Sequence, residues 1–391
     1  MRTNSIALIA LLAGICLCGA AHAQKKGGGK GGGKEDPEPA GPLMVELSTT
    51  EGLVVDISEL KTSGKVEAVG WIDRSAQSAM YWKVDGDGTV QDSIVLSTAA
   101  PPDHEAAYSL AAGINNNSVI VGYGYEEIGE PAEWPCWPLL WSTFSARAFL
   151  LPIPEGFSHG QAWHVNDDGI VIGYVWNDTA RWVNAWKIDV SGVTPVVKDQ
   201  ITFLDGSHYY YFPSDVARVA QSGIGVATVE SLAGQTLDAY RFQLLWNGSE
   251  LQVEAIEAPF DDLAWSIALD VNDTGWVSGD FKIADGFNDE AFVVDDTGAL
   301  VTLETLPPAR HRGQTIEYTN VFATAVNNYG VSVGRVVPER LVVSEEAAMW
   351  DANGTLTLLP EYWDYSLDIN DVGWIGGGST LDTPAVLIPQ Q

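Results

Sequence analysis

Ionisable side chains recur at one position of a repeated sequence, two residues before an anchor residue that is Asn in five of the repeats. The residues at this position are Asp56, Gly113, His164, Arg218, Asp270, Ala325 and Asp368. An apolar Ile or Val follows each of them, so the alternation of a β-strand directs this column to one common side. Three carboxylates with an arginine and a histidine form either a buried charge network that holds the repeats in register or a ring that binds a ligand or a cation.

Histidine and aromatic residues occupy a second set of positions, between the end of one repeat and the anchor of the next. Tyr210 and Trp363 lie there with four of the six histidines, namely His104, His159, His208 and His311. Aromatic and polar side chains that converge on a concave surface are typical of a ligand-binding site. The alternative is that surface connections simply collect such residues.

The repeat that positions these residues reads Ala-x-x-(Ile/Val)-Asn-x-x-Gly-x-x-x-Gly, and it predicts a β-hairpin. Asn and Asp form side-chain turns and Gly adopts positive φ, which suits a tight turn between two strands. A second unit follows in each repeat: apolar residues, often ending in Trp, then a Gly-containing turn and a further apolar strand. The anchor positions are Ser58, Asn115, Asn166, Ala220, Asn272, Asn327 and Asn370.

Four strands in every ~50 residues, repeated seven times without a helical pattern, predict an all-β fold, a seven-bladed β-propeller of four-stranded blades. The charged column then lies near the channel axis, and the connections rich in His and aromatic residues gather at one mouth of the channel. The seventh repeat has no fourth strand of its own, whereas Leu43–Ser48 has the alternation of a strand. We expect this N-terminal strand to complete the last blade, because an open blade would expose a sheet edge.

The N-terminal region predicts export. Residues 1–23 combine a basic start, an apolar run and Ala21-His22-Ala23, which is the anatomy of a secretory signal peptide. Residues 24–42 are rich in Gly, Lys and Pro and indicate a flexible linker, so the propeller spans residues 43–391. We expect a bacterial protein that is secreted, periplasmic or at the cell surface. Beyond residue 23 no apolar run is long enough to cross a membrane.

Charge and composition exclude several classes of partner and site. The chain has 52 acidic and 20 basic residues and a formal net charge of -32, which disfavours binding to nucleic acid or anionic membranes. Outside the signal the only cysteine is Cys136, so no disulfide within the chain and no cysteine-based metal site is expected. The turn Asp85-Gly86-Asp87-Gly88 resembles a calcium loop but lacks the distal carboxylate. Turn chemistry accounts for it, and we expect no cofactor.

The repeats resemble those of the HAF-repeat extracellular proteins, a bacterial family. That family pairs an (Ile/Val)-Asn-x-x-Gly-x-x-x-Gly hairpin with a His-Ala-Phe-Leu-Trp strand, and the matching stretches here are 166–173, 272–279 and Glu290-Ala291-Phe292. The resemblance extends from about residue 54 to residue 391. It implies secretion and a propeller-like fold, and it implies no activity. No repeat of this chain has the His before its Ala, so a role of that His does not carry over.

The residues allow three functional interpretations. We expect a binding or surface-interaction module, a monomer whose loop-rich face takes an extracellular glycan, peptide or small molecule. One alternative is a hydrolase or lyase that uses the same histidines and carboxylates, although none of the common catalytic motifs is present. The other is a structural envelope protein. Histidines and carboxylates within ~3 Å of one another would favour chemistry, whereas scattered and exposed side chains would favour binding or structure.

Overall fold

The computed structural model describes residues 42–73, 75–102, 104, 108–126, 135–142, 147–192, 194–206, 217–230, 237–257, 265–282, 289–311, 314–338 and 345–389. Within these ranges the regular elements are β-strands, β1 to β30 in chain order. None of the described segments forms a helix of the length and hydropathy that would be needed to span a bilayer.

The strands form seven antiparallel four-stranded sheets, and each sheet is one blade of a propeller. The first strand of the chain is β1 (Leu43–Glu46), which belongs to blade 7. Blade 1 consists of β2 (Gly52–Ile57), β3 (Lys65–Ile72), β4 (Ser78–Asp85) and β5 (Val90–Val95); blade 2 of β6 (Tyr108–Ile114), β7 (Val119–Tyr125), β8 (Cys136–Ser142) and β9 (Ala148–Leu150); blade 3 of β10 (His159–Val165), β11 (Ile170–Trp176), β12 (Arg181–Asp189) and β13 (Val196–Gly206).

Blades 4 to 7 follow the same order. Blade 4 consists of β14 (Ala217–Val219), β15 (Ile224–Glu230), β16 (Leu237–Trp246) and β17 (Leu251–Glu257); blade 5 of β18 (Trp265–Val271), β19 (Val277–Lys282), β20 (Asp289–Val294) and β21 (Leu300–Val301). A two-stranded hairpin, β22 (Ala309–His311) and β23 (Gln314–Ile316), lies between blades 5 and 6. Blade 6 consists of β24 (Tyr318–Val326), β25 (Ser332–Pro338), β26 (Glu346–Trp350) and β27 (Leu356–Leu358); blade 7 of β28 (Trp363–Ile369), β29 (Ile375–Ser379), β30 (Pro384–Ile388) and β1.

The blades close into a ring. The first strand of each blade contacts the first strands of both neighbouring blades, from β2 through β28 and back to β2. The predicted N-terminal closure is confirmed: β1 pairs antiparallel with β30, with Leu43 opposite Ile388 and Glu46 opposite Ala385. The all-β, seven-bladed prediction is therefore confirmed together with the strand that completes the last blade.

Tryptophans on the third strands fill the core between blades. Trp82, Trp141, Trp186 and Trp350 are fully buried. Three of their indole N–H groups donate to a carbonyl of the connection that leads from the preceding blade: Trp141 to Ser97, Trp186 to Pro152 and Trp350 to Glu304, at 2.7–2.9 Å. These residues therefore bury a large apolar area and also bind one blade to the next.

Two features of the fold were not predicted from the sequence. A β-bulge interrupts the inner strand of six blades directly before the charged column, for example between Val54 and Asp56 and between Ala162 and His164. A bulge re-aims the side chain that follows it, so the bulge as well as strand alternation sets the direction of the charged column. The hairpin of β22 and β23 is the second feature, because its sequence was interpreted as a plain connection.

Candidate functional site

Five side chains from five different blades meet at the centre of the ring. We call Asp56, His164, Arg218, Asp270 and Asp368 the axial cluster. Oδ1 of Asp56 on blade 1 lies 3.4 Å from Nη1 of Arg218 on blade 4, and Oδ2 of Asp56 lies 3.8 Å from Nε2 of His164 on blade 3. Blades 1 and 4 stand on opposite sides of a seven-membered ring, so the contact between Asp56 and Arg218 crosses the channel.

Each acidic member of the axial cluster also accepts a hydrogen bond from the backbone of the following blade. The donor is always the N–H of the residue before the next anchor: Ile57 to Asp368 at 2.7 Å, Ile114 to Asp56 at 2.6 Å and Val326 to Asp270 at 2.9 Å. His164 makes the equivalent contact with donor and acceptor exchanged. Its Nδ1–H donates at 3.0 Å to the carbonyl of Val219, which is the residue before the next anchor. These four side chains therefore connect neighbouring inner strands as well as one another.

Burial determines the charges of this cluster. Burial, with repulsion from Asp368, holds the pKa of Asp56 well above its usual value, against the attraction of Arg218. Burial also raises the pKa of Asp270 to about 6, although the attraction of Arg218 opposes the shift. Burial and the nearby charge of Arg218 lower the pKa of His164 to about 3, so the imidazole is neutral. Burial by itself would lower the pKa of Arg218, but the surrounding carboxyl groups raise it.

The axial cluster is an interlocked network. Its carboxyl oxygens accept from neighbouring inner strands and so hold the blades in register. Arg218 is 8 % exposed, and its Nε has no hydrogen-bond partner among the described residues. A buried donor of this kind suits a bound water or a small polar group in the channel. The predicted site residues of this column are brought together, and a ligand for them stays a prediction.

A second ring, which the sequence analysis missed, lies one residue beyond the anchors at the mouth formed by the hairpin turns. In every blade the N–H of this residue donates to a side-chain oxygen of the equivalent residue in the next blade, at 2.5–3.0 Å. We call this closed ring the turn belt; its members are Glu59, Asn116, Asp167, Gln221, Asp273, Asn328 and Asp371. The signal was present in the sequence, because all seven repeats have a carboxylate or carboxamide there.

The anchors themselves form a third set of contacts between the blades. The side-chain amide of each anchor Asn donates to the carbonyl of the next anchor: Asn115 to Asn166, Asn166 to Ala220, Asn272 to Asn327, Asn327 to Asn370, and Asn370 to Ser58. Its oxygen accepts from its own turn, as when Val119 N–H donates to Asn115 at 2.9 Å. The Asn of the repeat is therefore required both for the turn and for the contact to the next blade.

Aromatic rings line the opposite mouth, where the connections between blades lie. Tyr108 stacks on Tyr125 with ring centroids 5.1 Å apart, Tyr125 lies 6.2 Å from Tyr123, and Tyr123 lies 5.6 Å from Trp163. We call these four residues the aromatic ladder, which leads from the rim between blades 2 and 3 to an inner strand. Tyr108 and Tyr123 are half-buried, whereas Trp163 is 6 % exposed and its indole nitrogen has no hydrogen-bond partner among the described residues.

Two of the predicted histidines lie at this mouth. On blade 3 the ring of His159 lies 5.7 Å from that of Trp176, and the guanidinium of Arg181 lies 4.9 Å from the centroid of Trp176. On the other side His104 Nδ1 lies 3.3 Å from Glu126, and its ring centroid is 4.8 Å from that of Trp137. His104 and His159 thus stand beside the aromatic ladder; His159 begins β10, five residues before His164 of the axial cluster, and His104 lies in the connection before β6.

The remaining candidates are placed as follows. His208 and Tyr210 lie outside the described residues, and for His311 only the backbone, in β22, is described. Trp363 is 3 % exposed, and its indole N–H donates to the hydroxyl of Ser366 at 2.9 Å. It packs in the apolar core shared by blades 6 and 7, and its predicted contact with a ligand stays a prediction.

No set of three or more His, Cys, Asp or Glu side chains within the described ranges is arranged to hold a metal ion. In the turn that resembles a calcium loop, Asp87 accepts from the N–H of Thr89 at 2.9 Å, and Asp85 lies 3.3 Å from Nζ of Lys65. Both carboxylates therefore have partners within the protein.

No family model matches this chain, and no curated protein matches it. Among solved structures it is similar to puromycin hydrolase, with a TM-score of 0.43 and 12% identity over 80% of this chain and 54% of that chain. It is also similar to an acylaminoacyl peptidase in complex with Z-Gly-Gly-Phe-chloromethyl ketone (TM-score 0.46, 11% identity, 84% of this chain and 49% of that chain). A third is the β-propeller domain of the Trilobed protease from Pyrococcus furiosus (0.45, 9%, 83% and 89%). The chain spans about half the length of the first two, and at these identities the similarity concerns the fold alone.

Proposed function

We propose that this protein is an exported binding module that takes a glycan at the rim between blades 2 and 3. The observation that carries the proposal is the aromatic ladder, in which half-buried rings at the rim lead to a buried indole N–H. Flat aromatic faces stack against the C–H faces of sugar rings, and a ring N–H can donate to a sugar hydroxyl. Trp163 therefore offers the polar contact that would orient a ligand held by Tyr108 and Tyr123.

Export rests on residues 1–23, which have the features of a signal peptide, and on the resemblance of the repeats to the HAF-repeat extracellular proteins. A module outside the cell meets polysaccharides more often than cytosolic metabolites. The large negative charge argues against nucleic acid as the ligand, and a neutral or weakly charged glycan avoids that repulsion.

The geometry gives less support to an enzyme. In the axial cluster, where Asp56 approaches His164 at 3.8 Å, each aspartate already accepts a hydrogen bond from a backbone N–H of the next blade. His104 pairs with Glu126 at 3.3 Å but is exposed at the rim. We therefore assign the axial cluster to the stability of the ring and the aromatic ladder to recognition.

The test is a glycan array and a peptide array probed with residues 24–391 in wild-type form and with Tyr108→Ala and Tyr123→Ala. We expect glycan binding by the wild type and roughly tenfold weaker binding by each variant, which corresponds to ~1.4 kcal/mol. Tyr329→Ala is the matched control, because Tyr329 is exposed at the opposite mouth. Equal binding by all three variants would remove the ladder as the site, and binding to peptides alone would overturn the glycan assignment.

A further inference from the structure

The mouth opposite the aromatic ladder carries an arc of exposed apolar side chains. The residue after each member of the turn belt lies in the connection between the first two strands of its blade. All seven of these residues are exposed: Leu60, Asn117, Asp168, Ser222, Thr274, Tyr329 and Val372. Only three are apolar, namely Tyr329 at 68 %, Val372 at 44 % and Leu60 at 39 % exposure. They belong to blades 6, 7 and 1, which are consecutive in the ring. We call these three residues the apolar arc.

The turn belt shows that these positions are neighbours in the ring. Asn328 N–H donates to Asp371 at 2.8 Å and Asp371 N–H donates to Glu59 at 3.0 Å, and each of these residues directly precedes a member of the apolar arc. The turns do not need apolar residues for folding, because Asn, Asp, Ser and Thr occupy the same position in the other four blades. Adjacent exposed apolar side chains are a feature of interaction surfaces.

Acidic residues lie beside the apolar arc in the turn belt. The turn belt and the seven exposed positions that follow its members together contain Glu59, Asp167, Asp168, Asp273 and Asp371, and neither a Lys nor an Arg. Cations that approach this rim are already engaged: Nζ of Lys61 lies 2.6 Å from Glu67, and Lys187 donates to the carbonyl of Asp168. A ligand for this face therefore has to combine apolar groups with positive charge.

The turns that present Tyr329 and Val372 are each held by the side chain of their anchor Asn, as when Trp374 N–H donates to Asn370 at 2.9 Å. Oδ1 of Asn327 accepts from the N–H groups of Tyr329 and Val331, both at 3.0 Å. Gly330 next to it has a φ of 74°, and a Cβ there would lie 2.8 Å from the ring of Trp276 on blade 5. Because the surface is ordered before it meets a partner, little conformational entropy is lost on binding.

We propose that the apolar arc and the acidic turn belt beside it bind a basic polypeptide segment, one in which Lys or Arg alternates with aliphatic residues. The aliphatic side chains pack on Tyr329, Val372 and Leu60, and the cations face Glu59 and Asp371. This surface lies at the mouth opposite the site of the proposed function, so the two are independent. The protein then has a ligand-binding mouth and a partner-binding mouth.

The test measures binding of a short peptide of alternating Lys and Leu to residues 24–391 by fluorescence anisotropy. We expect the double variant Tyr329→Ser/Val372→Ser to bind about tenfold more weakly than wild type. Tyr108→Ala, at the other mouth, is the matched control and should bind like wild type. Two peptide controls separate the contributions: one with Glu in place of Lys and one with Gly in place of Leu, and both should bind more weakly.

Three results would overturn the proposal. Equal affinity of wild type and double variant would show that the apolar arc is not used. Equal affinity for the Lys-Gly peptide would show attraction to an acidic protein without a site. If wild type self-associates in sedimentation velocity and the double variant stays monomeric, the apolar arc is instead the contact surface for a second copy of this chain.

Discussion

At the scale of single residues, the axial cluster shows how buried carboxyl groups compensate the charge of a buried guanidinium. Arg218 is 8 % exposed and crosses the channel to Asp56, which is 3 % exposed. Removing one partner from a buried ionic network leaves the others without compensation, which costs more than the network contributes as a whole. Mutations of this cluster therefore separate its structural role from a role in binding.

Arg218→Met should destabilise the protein by about 3–5 kcal/mol, because it leaves the three aspartates buried without their cation. The measurement is urea unfolding at neutral pH. Adding Asp56→Asn to this variant should recover part of the loss, since it removes one of the carboxyl groups that Arg218 compensates. A loss below about 1 kcal/mol for Arg218→Met would contradict the assignment of the cluster to the stability of the ring.

Glu59 should give the stability a pH dependence of its own. Burial, together with repulsion from Asp371, raises the pKa of Glu59 to about 7. A carboxyl with a raised folded-state pKa stabilises the fold most below its unfolded pKa, and this contribution is lost as the pH rises through about 7. Glu59→Gln keeps an oxygen to accept from Asp371 but has no proton to lose.

We therefore expect Glu59→Gln to melt at the same temperature as wild type near pH 5 and at a higher temperature near pH 8. Thermal melts of both proteins across this range measure the difference, and the charge of the rest of the protein cancels in the comparison. Neutral His164, with a pKa of about 3, destabilises the fold below its unfolded pKa of about 6.5, but equally in both proteins. A difference that stays constant with pH would contradict the raised pKa of Glu59.

At the scale of the elements, the hairpin turn of blade 4 is the exception to the pattern. Ala220 replaces the anchor Asn, so no side-chain amide donates from there to the carbonyl of Asn272. Within the turn, Ile224 N–H reaches only the hydroxyl of Ser222 at 3.5 Å, whereas the equivalent N–H in blade 3 donates to Asn166 at 2.9 Å. The backbone of the turn is otherwise the same, with Gly223 at a φ of 81°.

Ala220→Asn should therefore stabilise the protein. The new side chain can donate to the carbonyl of Asn272 and accept from Ile224 N–H, and two such bonds are worth about 1–2 kcal/mol. Differential scanning calorimetry measures the change. A variant that is less stable than wild type would show that blade 4 has no room for the amide, and Ala220→Ser, which adds a smaller polar group, is the control for volume.

The elements could be predicted because their signals are local. Asn-x-x-Gly turns, apolar strands and the seven-fold repeat lie within a few residues or recur at a constant spacing, so the blades and the column of Asp56 and Asp270 follow from the sequence. The bulges and the turn belt could not be derived in the same way. No residue type marks a bulge such as the one at Val55. Turn chemistry is a sufficient local explanation for a turn residue such as Asp167, and it says nothing about contacts between blades. The aromatic ladder joins Tyr123 of one blade to Trp163 of the next, which no spacing in the chain reveals.

At the scale of the whole molecule, closure depends on a strand of four residues. Val45 faces the core and Leu47, just beyond β1, is 7 % exposed in the cluster that contains Val386 and Ile388. Burying one such leucine contributes about 1.5–3 kcal/mol, and each hydrogen bond of the pairing adds about 1 kcal/mol. Residues 24–42 are the predicted linker; of these the structure describes Pro42, whose carbonyl accepts from Tyr362.

A chain that starts at residue 43 should therefore melt within about 2 °C of the chain that starts at residue 24. A chain that starts at residue 49 should melt far lower or aggregate, because blade 7 then exposes β30 as an edge. Equal melting temperatures for the starts at 43 and 49 would contradict closure by β1. Size-exclusion chromatography of the shortest form distinguishes a less stable monomer from aggregation.

The turn belt makes the junction between blades 7 and 1 equivalent to the other six. The chain is interrupted within blade 7, between β30 and β1, and the contacts from blade 7 to blade 1 lie on the inner strands, away from that interruption. Asp371 donates to Glu59, Asn370 donates to the carbonyl of Ser58 and Ile57 donates to Asp368. The contacts between blades therefore do not depend on where the backbone is interrupted. A circular permutant whose termini fall in another blade would meet the same donors and acceptors in the same order, so the cyclic order of the repeats, rather than the location of the termini, specifies this molecule.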